Sequence, residues 1–449
     1  METGKPIKTF AINLKRRTDR KAHIAEQFSG KDEFNLHIVE AFEHEKGARG
    51  LWNTITHIIK DLTDNTEDDY IIICEDDHTF TNNYSAKALH EAISKGQQLS
   101  ADILCGGISW FDNAIQITPG IFLIETIFNG AQFTIIFKKF YKCILKAIFT
   151  EQDVADIKLS CLSDRILFMF PFISIQTEFG YSDATSFNNI KGRVDNLFSL
   201  SSSGIQVIKD ITQLYAGKRT GTAYTPDYSH DHIVLPTYII NLPENAERKK
   251  HILKQFRDKP EFDITIIEGC KGKSGKMGLW LSIRKIIEIA IKNDDDVIVI
   301  CKDNHEFTEH YSKNLLFTTV LQAHALGAGC LTFGTTQFGF CVPITHHLFW
   351  TNRYSYFQFI VIYKPIFEKI LNENFNEDVD PDHLLSEVTS NKMIVYPFIS
   401  KHLEFEIFDI DKKRGDDNKG PQFMYNNSIK RLTNITNKYS DYIPFMEYV

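Results

Sequence analysis

Short apolar runs alternate with longer amphipathic segments along the chain. The run "TFAINL" (9–14) precedes "DRKAHIAEQF" (19–28), where isoleucine and phenylalanine recur at three- to four-residue spacing, which predicts a strand and then a helix. A second strand ("NLHIVEA"), a helix ("WNTITHIIKDL") and a buried strand ("YIIIC") follow in order. Strands that alternate with helices predict an α/β fold with a parallel or mixed sheet covered on both faces.

The whole pattern occurs twice. "TFAINLKRRTDRKAHIAEQF", which begins at Thr9, aligns without gaps with "TYIINLPENAERKKHILKQF", which begins at Thr237, an offset of 237 − 9 = 228. "GLW" (Gly50 and Gly278) and "PFIS" also occur once in each copy. This period is far longer than that of a solenoid repeat, so we predict that each copy has its own core.

The segment between the copies sets the predicted domain boundaries. "SLSSSGIQVIKDITQLYAGKRTGTAYTPDYSHDHIVLP" begins and ends with the Ser, Gly and Pro residues typical of linkers, and its middle is compatible with a short helix. We predict an N-terminal domain of residues 1–200, a linker of residues 201–235 and a C-terminal domain of residues 236–449.

The buried strand of the first copy runs directly into acidic residues. "YIIICEDDHTF" (70–80) places Glu75, Asp76 and Asp77 at the strand end, and ligands bind outside the carboxyl ends of strands in such sheets. Carboxylate oxygens can hold Mg²⁺ or Mn²⁺ together with the phosphates of a substrate, and the metal then stabilises a departing diphosphate. From these residues alone, a capped turn on a solvated surface is the alternative interpretation.

The second copy favours the metal interpretation. In "VIVICKDNHEF", Lys302 replaces Glu75 and Asn304 replaces Asp77, so the carboxylates that a divalent metal requires are missing. The two adjacent arginines of "NLKRRTDR", suitable partners for a diphosphate, are also replaced in "NLPENAER". His78 persists in both copies, which favours a structural hydrogen bond for it. We therefore predict one active copy and one inactive copy.

"FAINLKRRTDRKAHI" followed by "IICEDD" resembles glycosyltransferase family 25, the lipopolysaccharide- and collagen-type galactosyltransferases. The resemblance covers most of residues 9–199 and, more weakly, 237–411. It implies two tandem GT-A-like domains, with the Rossmann-like fold of nucleotide-diphospho-sugar transferases, the second degenerate. It also implies an inverting hexosyltransferase, galactose-type as the best guess, that uses a UDP-sugar with Mn²⁺ or Mg²⁺, as in lipopolysaccharide biosynthesis.

The resemblance also implies roles for individual residues of the first copy. Asp76 and Asp77 are the implied metal ligands. The residues implied in donor binding come from the first-strand motif and the start of the acidic motif: Asn13, Arg17, Asp19, Arg20 and Glu75.

The general base is left open between two aspartates. Asp156 is the first candidate and Asp183, in "GYSD", is the second. The family's Pro-x-Asp element survives in the second copy as "DPDHLL" (Asp382), but the proline is missing before Asp156. An aspartate near a helix start is also typical of a cap.

Composition limits the remaining function classes. A net charge of -8 argues against a general nucleic-acid binder, and a hydrophobic content of 43% is typical of a globular protein. We find no secretory signal and no stretch typical of a membrane span, and the eight scattered cysteines favour reduced thiols over disulfides or a cysteine-based zinc site. These features predict a cytoplasmic protein.

Two classes of function stay open. One is a transferase whose acceptor is a glycan, a lipid-linked sugar or a peptide. The other is a non-catalytic protein that binds a glycan, a nucleotide-sugar or a peptide on the same scaffold. The loss of charged residues in one copy only favours the enzyme, and a homodimer is left open.

Overall fold

The computed structural model describes residues 5–63, 68–181, 189–219, 232–403 and 420–446. The chain forms two compact units. Unit 1 comprises Met1–Gln213 and Ser440–Val449, and unit 2 comprises Leu214–Tyr439.

Unit 1 contains short strands interspersed with helices, including a π-helical turn at Ile58–Leu62 and a 3-10 turn at Lys138–Phe140. The elements are β1 (Ile7–Asn13), α1 (Thr18–Phe28), β2 (Phe34–Glu40), α2 (Gly47–His57), β3 (Tyr70–Glu75), β4 (His78–Phe80), α3 (Ala86–Gln98), β5 (Ile103–Cys105), β6 (Trp110–Phe111), β7 (Ala114–Thr118), β8 (Ile121–Ile124), β9 (Phe128–Asn129), β10 (Phe133–Phe137), α4 (Tyr141–Lys146), α5 (Ala155–Leu162), β11 (Ile166–Met169), β12 (Ser174–Gln176) and α6 (Arg193–Arg219), which continues into unit 2.

Unit 2 repeats this order and has a 3-10 turn at Lys364–Ile366. A further 3-10 turn, Ile443–Phe445, follows unit 2 in the chain and lies in the C-terminal segment that belongs to unit 1. Its elements are β13 (Leu235–Asn241), α7 (Ala246–Phe256), β14 (Phe262–Glu268), α8 (Gly275–Asn293), β15 (Val297–Lys302), β16 (His305–Phe307), α9 (Lys313–Ala325), β17 (Cys330–Thr332), β18 (Gln337–Phe338), β19 (Cys341–Pro343), β20 (Leu348–Thr351), β21 (Tyr354–Ser355), β22 (Phe359–Tyr363), α10 (Phe367–Asn372), α11 (Pro381–Glu387), β23 (Lys392–Val395), β24 (Ser400–His402) and α12 (Pro421–Tyr442).

Each unit has an eight-stranded mixed sheet with the same strand order. The order is β2-β1-β3-β10-β5-β11-β8-β7 in unit 1 and β14-β13-β15-β22-β17-β23-β20-β19 in unit 2. The first three strands of each sheet are parallel, whereas β10 and β22 run antiparallel to both of their neighbours. The prediction of an α/β fold is therefore confirmed.

Local sequence explains how the helices begin and where the core lies. Ser85 and Ser312 cap α3 and α9, because each hydroxyl accepts a hydrogen bond from a backbone N–H in the first turn. In unit 2, Trp280 and Ile283 of α8 pack in one buried cluster with Ile298 of β15. These contacts pack α8 against β15, the strand that ends at Lys302.

The two histidines that follow the central strands are buried structural residues. His78 Nδ1 lies 2.7 Å from Ser174 Oγ, and His305 Nδ1 lies 2.8 Å from Ser400 Oγ. Each ring also packs on a phenylalanine two residues later, with centroids 4.3 Å apart. Burial lowers the pKa of both histidines to about 3, so both rings are neutral in the folded protein.

We expect His305→Gln to flatten the pH dependence of the stability of unit 2. Folded His305, with its pKa of about 3, stays neutral, whereas the unfolded chain takes up a proton below about pH 6.5. Stability is therefore lost as the pH falls from about 6.5 towards 3, by about 1.4 kcal/mol per pH unit from this residue. Urea unfolding at several pH values between about 4.5 and 6 measures the slope. Exposed His310→Gln is the control, and a slope unchanged in His305→Gln would contradict the prediction.

Candidate functional site

A cavity of about 790 Å³ lies in unit 1 at the carboxyl ends of β1 and β3. Parallel strands β1 and β3 are neighbours, so the residues that follow them meet at one edge of the sheet. The charged and aromatic residues that line the cavity include Arg16, Arg20, Glu75, Asp77, Trp110 and Asp156.

The Asp76 carboxylate accepts hydrogen bonds from two neighbouring side chains. Asn13 Nδ2 donates a hydrogen bond to Asp76 Oδ2 at 2.8 Å, and Arg20 Nη1 donates to Asp76 Oδ1 at 2.9 Å. The same Arg20 nitrogen lies 3.1 Å from Asp77 Oδ2, so the guanidinium bridges the two carboxylates. Arg20 is only 11% exposed, which makes this a buried ionic network rather than a surface ion pair.

Arg17 and Asp19 form a separate pair beside this network. The Nε and Nη2 atoms of Arg17 each lie 3.1 Å from an Asp19 carboxylate oxygen, and the guanidinium stacks 4.4 Å from the Tyr181 ring centroid. The hydrogen bond from Arg17 lowers the pKa of Asp19 to about 2. Arg17 is 4% exposed and is not among the described residues that line the cavity, so it orders the turn before α1.

Glu75 and Asp156 bring further negative charge to the cavity. Both side chains are half-buried, and the Gly130 N–H donates to Asp156 Oδ2 at 2.8 Å. Burial raises the pKa of Asp156, and burial together with the charges of Asp77 and Asp156 raises the pKa of Glu75 well above its usual value. Burial also raises the pKa of Asp77 to about 6, although Arg20 opposes the shift. Arg20 therefore only partly offsets the effects that raise the pKa values of Glu75 and Asp77.

Unit 2 has the same framework with an internal cation. Lys302 ends β15 as Glu75 ends β3, and its Nζ lies 3.1 and 2.9 Å from the two carboxylate oxygens of Asp382. Asp382, the second residue of α11, accepts a backbone hydrogen bond from Tyr356 as Asp156 does from Gly130. In unit 2 the Lys302 ammonium group thus neutralises Asp382. In unit 1 the equivalent aspartate, Asp156, instead faces a second acid, Glu75.

The donor set of unit 1 fits a divalent cation that also binds phosphates. Within the described ranges, no three His, Cys, Asp or Glu side chains form a ready-made metal cage. Mg²⁺ commonly binds through one or two carboxylates and completes its coordination with waters and substrate phosphates. Glu75 and Asp77 supply such carboxylates. Burial is the main cause of their raised pKa values, and a bound cation would favour the ionised form of both.

The residues predicted from the sequence fall into three groups. Six of them come together at the sheet edge: Asn13, Arg20, Glu75, Asp76, Asp77 and Asp156. Arg17 and Asp19 form the pair described above. Asp183, the second candidate for the base, lies outside the described residues.

Sequence reasoning missed several cavity residues. Trp110 lines the cavity and is 44% exposed, which is unusual for so large an apolar side chain. Gln176 Nε2 lies 3.4 Å from Asp77 Oδ1, and Glu178 accepts two backbone N–H groups at the start of α6. Comparison of the two copies offers a signal for Trp110, because glutamine (Gln337) takes its place in unit 2.

The helices within the described ranges lack the combination of length and apolar character needed to cross a bilayer.

Comparison with known proteins does not assign this chain to a family. No family model matches the chain, and no curated protein matches it. The solved structures that are similar include A197 from STIV, at 12% identity and a TM-score of 0.28 over 38% of this chain and 86% of that chain. Apo UDP-glucose pyrophosphorylase is similar at 11% identity and a TM-score of 0.27, over 45% and 84% of the two chains. At such TM-scores neither likeness carries an argument.

Proposed function

We propose that unit 1 is a metal-dependent glycosyltransferase of GT-A type, related to glycosyltransferase family 25, which moves a hexose from a UDP-sugar to an acceptor hydroxyl. One observation carries the proposal: Glu75, Asp77 and Asp156 crowd together in the cavity, whereas unit 2 places Lys302 against the equivalent aspartate. In this proposal a bound cation neutralises the acids of unit 1, and a nucleotide diphosphate is a ligand that brings one.

The donor half of the cavity suits a nucleotide-sugar. The volume of the whole cavity, about 790 Å³, lies within the range of small-molecule sites. Glu75 and Asp77 would hold Mn²⁺ or Mg²⁺, which when bound neutralises the diphosphate as it departs. Asp76 fixes Arg20 through its hydrogen bond and so sets the position of Asp77. Arg16 lines the same cavity, where its Nη1 lies 2.9 Å from Glu43 Oε1, and in this proposal its guanidinium exchanges that carboxylate for the phosphates.

The acceptor half centres on Asp156. In an inverting transfer the acceptor oxygen forms its bond to the anomeric carbon while the bond to the diphosphate breaks, and the hydroxyl proton passes to a base. Asp156 suits that base because burial raises its pKa and the Gly130 N–H fixes its orientation. Trp110 offers an exposed aromatic face near it for a sugar ring. Unit 2, which lacks Glu75 and Asp77, carries out no transfer in this proposal.

A donor screen tests the proposal. The full chain is incubated with a panel of UDP-hexoses and Mn²⁺, and UDP release is measured with and without a chelator. We expect release with at least one donor, loss of release in chelator, and a decrease of at least about tenfold in Asp77→Asn. Asn304→Ala, at the equivalent position of unit 2, is the matched control and should keep full activity.

Two results would overturn the proposal. One is the absence of UDP release with every donor together with no metal-dependent UDP binding. The other is equal loss of activity in Asp77→Asn and Asn304→Ala, because the chemistry would then not belong to unit 1. Metal-dependent UDP binding without turnover would instead favour a protein that only binds the nucleotide-sugar.

A further inference from the structure

Part of the cavity of unit 1 is a cleft with small and apolar walls, between the first turn of α2 and the start of α5. These two helices pack against each other, and the cleft is the part of the cavity that Ala48, Gly130 and Val154 line. Val154 is 50% exposed and lies two residues before Asp156, the candidate base. A group bound in the cleft would therefore lie beside the place of the acceptor hydroxyl.

In unit 2, larger polar side chains occupy the equivalent place. Lys276 is the second residue of α8, as Ala48 is the second residue of α2. Asp380 directly precedes α11, as Val154 directly precedes α5. The two side chains of unit 2 meet, because Lys276 Nζ lies 2.8 Å from Asp380 Oδ1. In unit 1, alanine and valine at these positions leave that space open and apolar.

An aromatic ring of unit 2 belongs to the same cluster of side chains. Tyr356 Oη donates a hydrogen bond to Asp380 Oδ2 at 3.3 Å. The Tyr356 backbone N–H donates to Asp382. The Gly130 N–H donates to Asp156 in the same way, so Gly130 is the equivalent of Tyr356. Unit 2 therefore places a phenol ring next to the position at which unit 1 has only a glycine and the open cleft.

The part of the cavity next to the cleft suits a sugar ring. Trp110 lines it with a side chain that is 44% exposed. Ser109 precedes Trp110, and Asn129 pairs with Trp110 across the β6–β9 ribbon, so polar groups surround the indole. A sugar has a face of C–H groups that packs on an aromatic ring and hydroxyls that bind polar groups. An acceptor sugar bound there can carry a substituent into the cleft.

We infer that the acceptor is a glycoside with an aromatic aglycone. Its sugar packs on Trp110 and directs a hydroxyl to Asp156, while its aromatic ring fills the cleft, where unit 2 has the ring of Tyr356. The hydroxyl oxygen bonds to the anomeric carbon of the donor as the bond to UDP breaks, and Asp156 takes the proton. The inference rests on the proposed function for this transfer, whereas binding of the glycoside can be measured without it.

Calorimetric titration of the full chain with phenyl and methyl β-glycosides of glucose, galactose and N-acetylglucosamine tests the inference. We expect at least one phenyl glycoside to bind at least about tenfold more tightly than its methyl counterpart, because the cleft removes the ring from water. Acrylamide quenching of tryptophan fluorescence gives a second readout. The other three tryptophans are buried, so quenching reports mainly on Trp110 and should decrease when the phenyl glycoside binds.

The double variant Ala48→Lys/Val154→Asp places the ion pair of unit 2 in the cleft. We expect it to lose the preference for phenyl over methyl glycosides, because the space for the ring is filled by charged side chains. Ile148→Asp is the matched control for adding an acid in place of an exposed aliphatic residue. Ile148 is 81% exposed and is not among the described residues that line the cavity, so the preference should persist. Circular dichroism confirms that each variant is folded.

Two results would overturn the inference. One is that no phenyl glycoside binds more tightly than its methyl counterpart. The other is a preference that survives in the double variant or is lost equally in Ile148→Asp. These outcomes are separable from the test of sugar transfer. UDP release without a phenyl preference would refute the aromatic aglycone alone, and a phenyl preference without UDP release from any donor would refute the transferase alone.

Discussion

Replacement of Asp156 by asparagine is expected to lower the turnover number for sugar transfer by a factor of about 10²–10⁴. The amide cannot accept the proton of the acceptor hydroxyl, but it keeps an oxygen for the Gly130 N–H, so the local structure should persist. UDP and Mn²⁺ should still bind, because Glu75 and Asp77 remain. Steady-state rates of UDP release give the turnover number, and calorimetric titration with UDP gives the affinity.

Asp382→Asn is the matched control for this variant. It makes the same chemical change at the equivalent position of unit 2, and it should leave the turnover number unchanged while weakening the ion pair with Lys302. A turnover number for Asp156→Asn within about twofold of wild type would contradict the role of Asp156. Asp183, the other aspartate named from the sequence, would then be the residue to replace next.

Replacement of Lys302 by glutamate is expected to destabilise unit 2 by about 3–5 kcal/mol in a chelating buffer. The change puts a second acid against Asp382, whose side chain is only 4% exposed, and so recreates the repulsion between Glu75 and Asp156 in unit 1. Mn²⁺ should then stabilise unit 2, by about 2.7 kcal/mol at a concentration of one hundred times Kd. Differential scanning calorimetry in chelator and in Mn²⁺ measures both effects.

Lys302→Met separates repulsion from the mere loss of the ion pair. It also leaves Asp382 without its ammonium partner, so it should be destabilising, but it adds no second carboxylate to bind a cation. We expect Mn²⁺ to raise the Tm of unit 2 in Lys302→Glu and to leave Lys302→Met unchanged. An equal response of the two variants would show that the end of β15 cannot become a cation site.

The strand–helix order was predictable because it depends on local periodicity. "YIIICE" is an apolar run that ends in a charge, and it forms β3, Tyr70–Glu75, with four consecutive buried residues. The repeated "GLW" also has a local explanation, because a Cβ on Gly50 or Gly278 would lie within 2.3 or 2.5 Å of a backbone carbonyl oxygen. In such cases short-range sterics and burial decide the structure.

The contacts within the candidate site were not predictable to the same degree. Arg20 reaches Asp76 across 56 residues, and its position depends on how α1 packs against β1, β2 and β4. The motif could not show that Arg20 lines the cavity whereas Arg17 turns to Asp19, because both arginines follow the same strand. The sequence likewise did not show that β10, in the middle of the sheet, runs antiparallel to β3. A strand that is buried on both faces has the same apolar pattern whichever way it runs.

The path of the chain has a consequence for synthesis on the ribosome. Unit 1 includes residues 440–446, among which Tyr442 and Met446 are buried, although the rest of unit 1 precedes unit 2 entirely. Domains generally fold in the order in which they are made. Here the unit that begins first cannot be completed until all of unit 2 has been translated, so nascent unit 1 exposes an unfilled apolar surface for the whole of that interval.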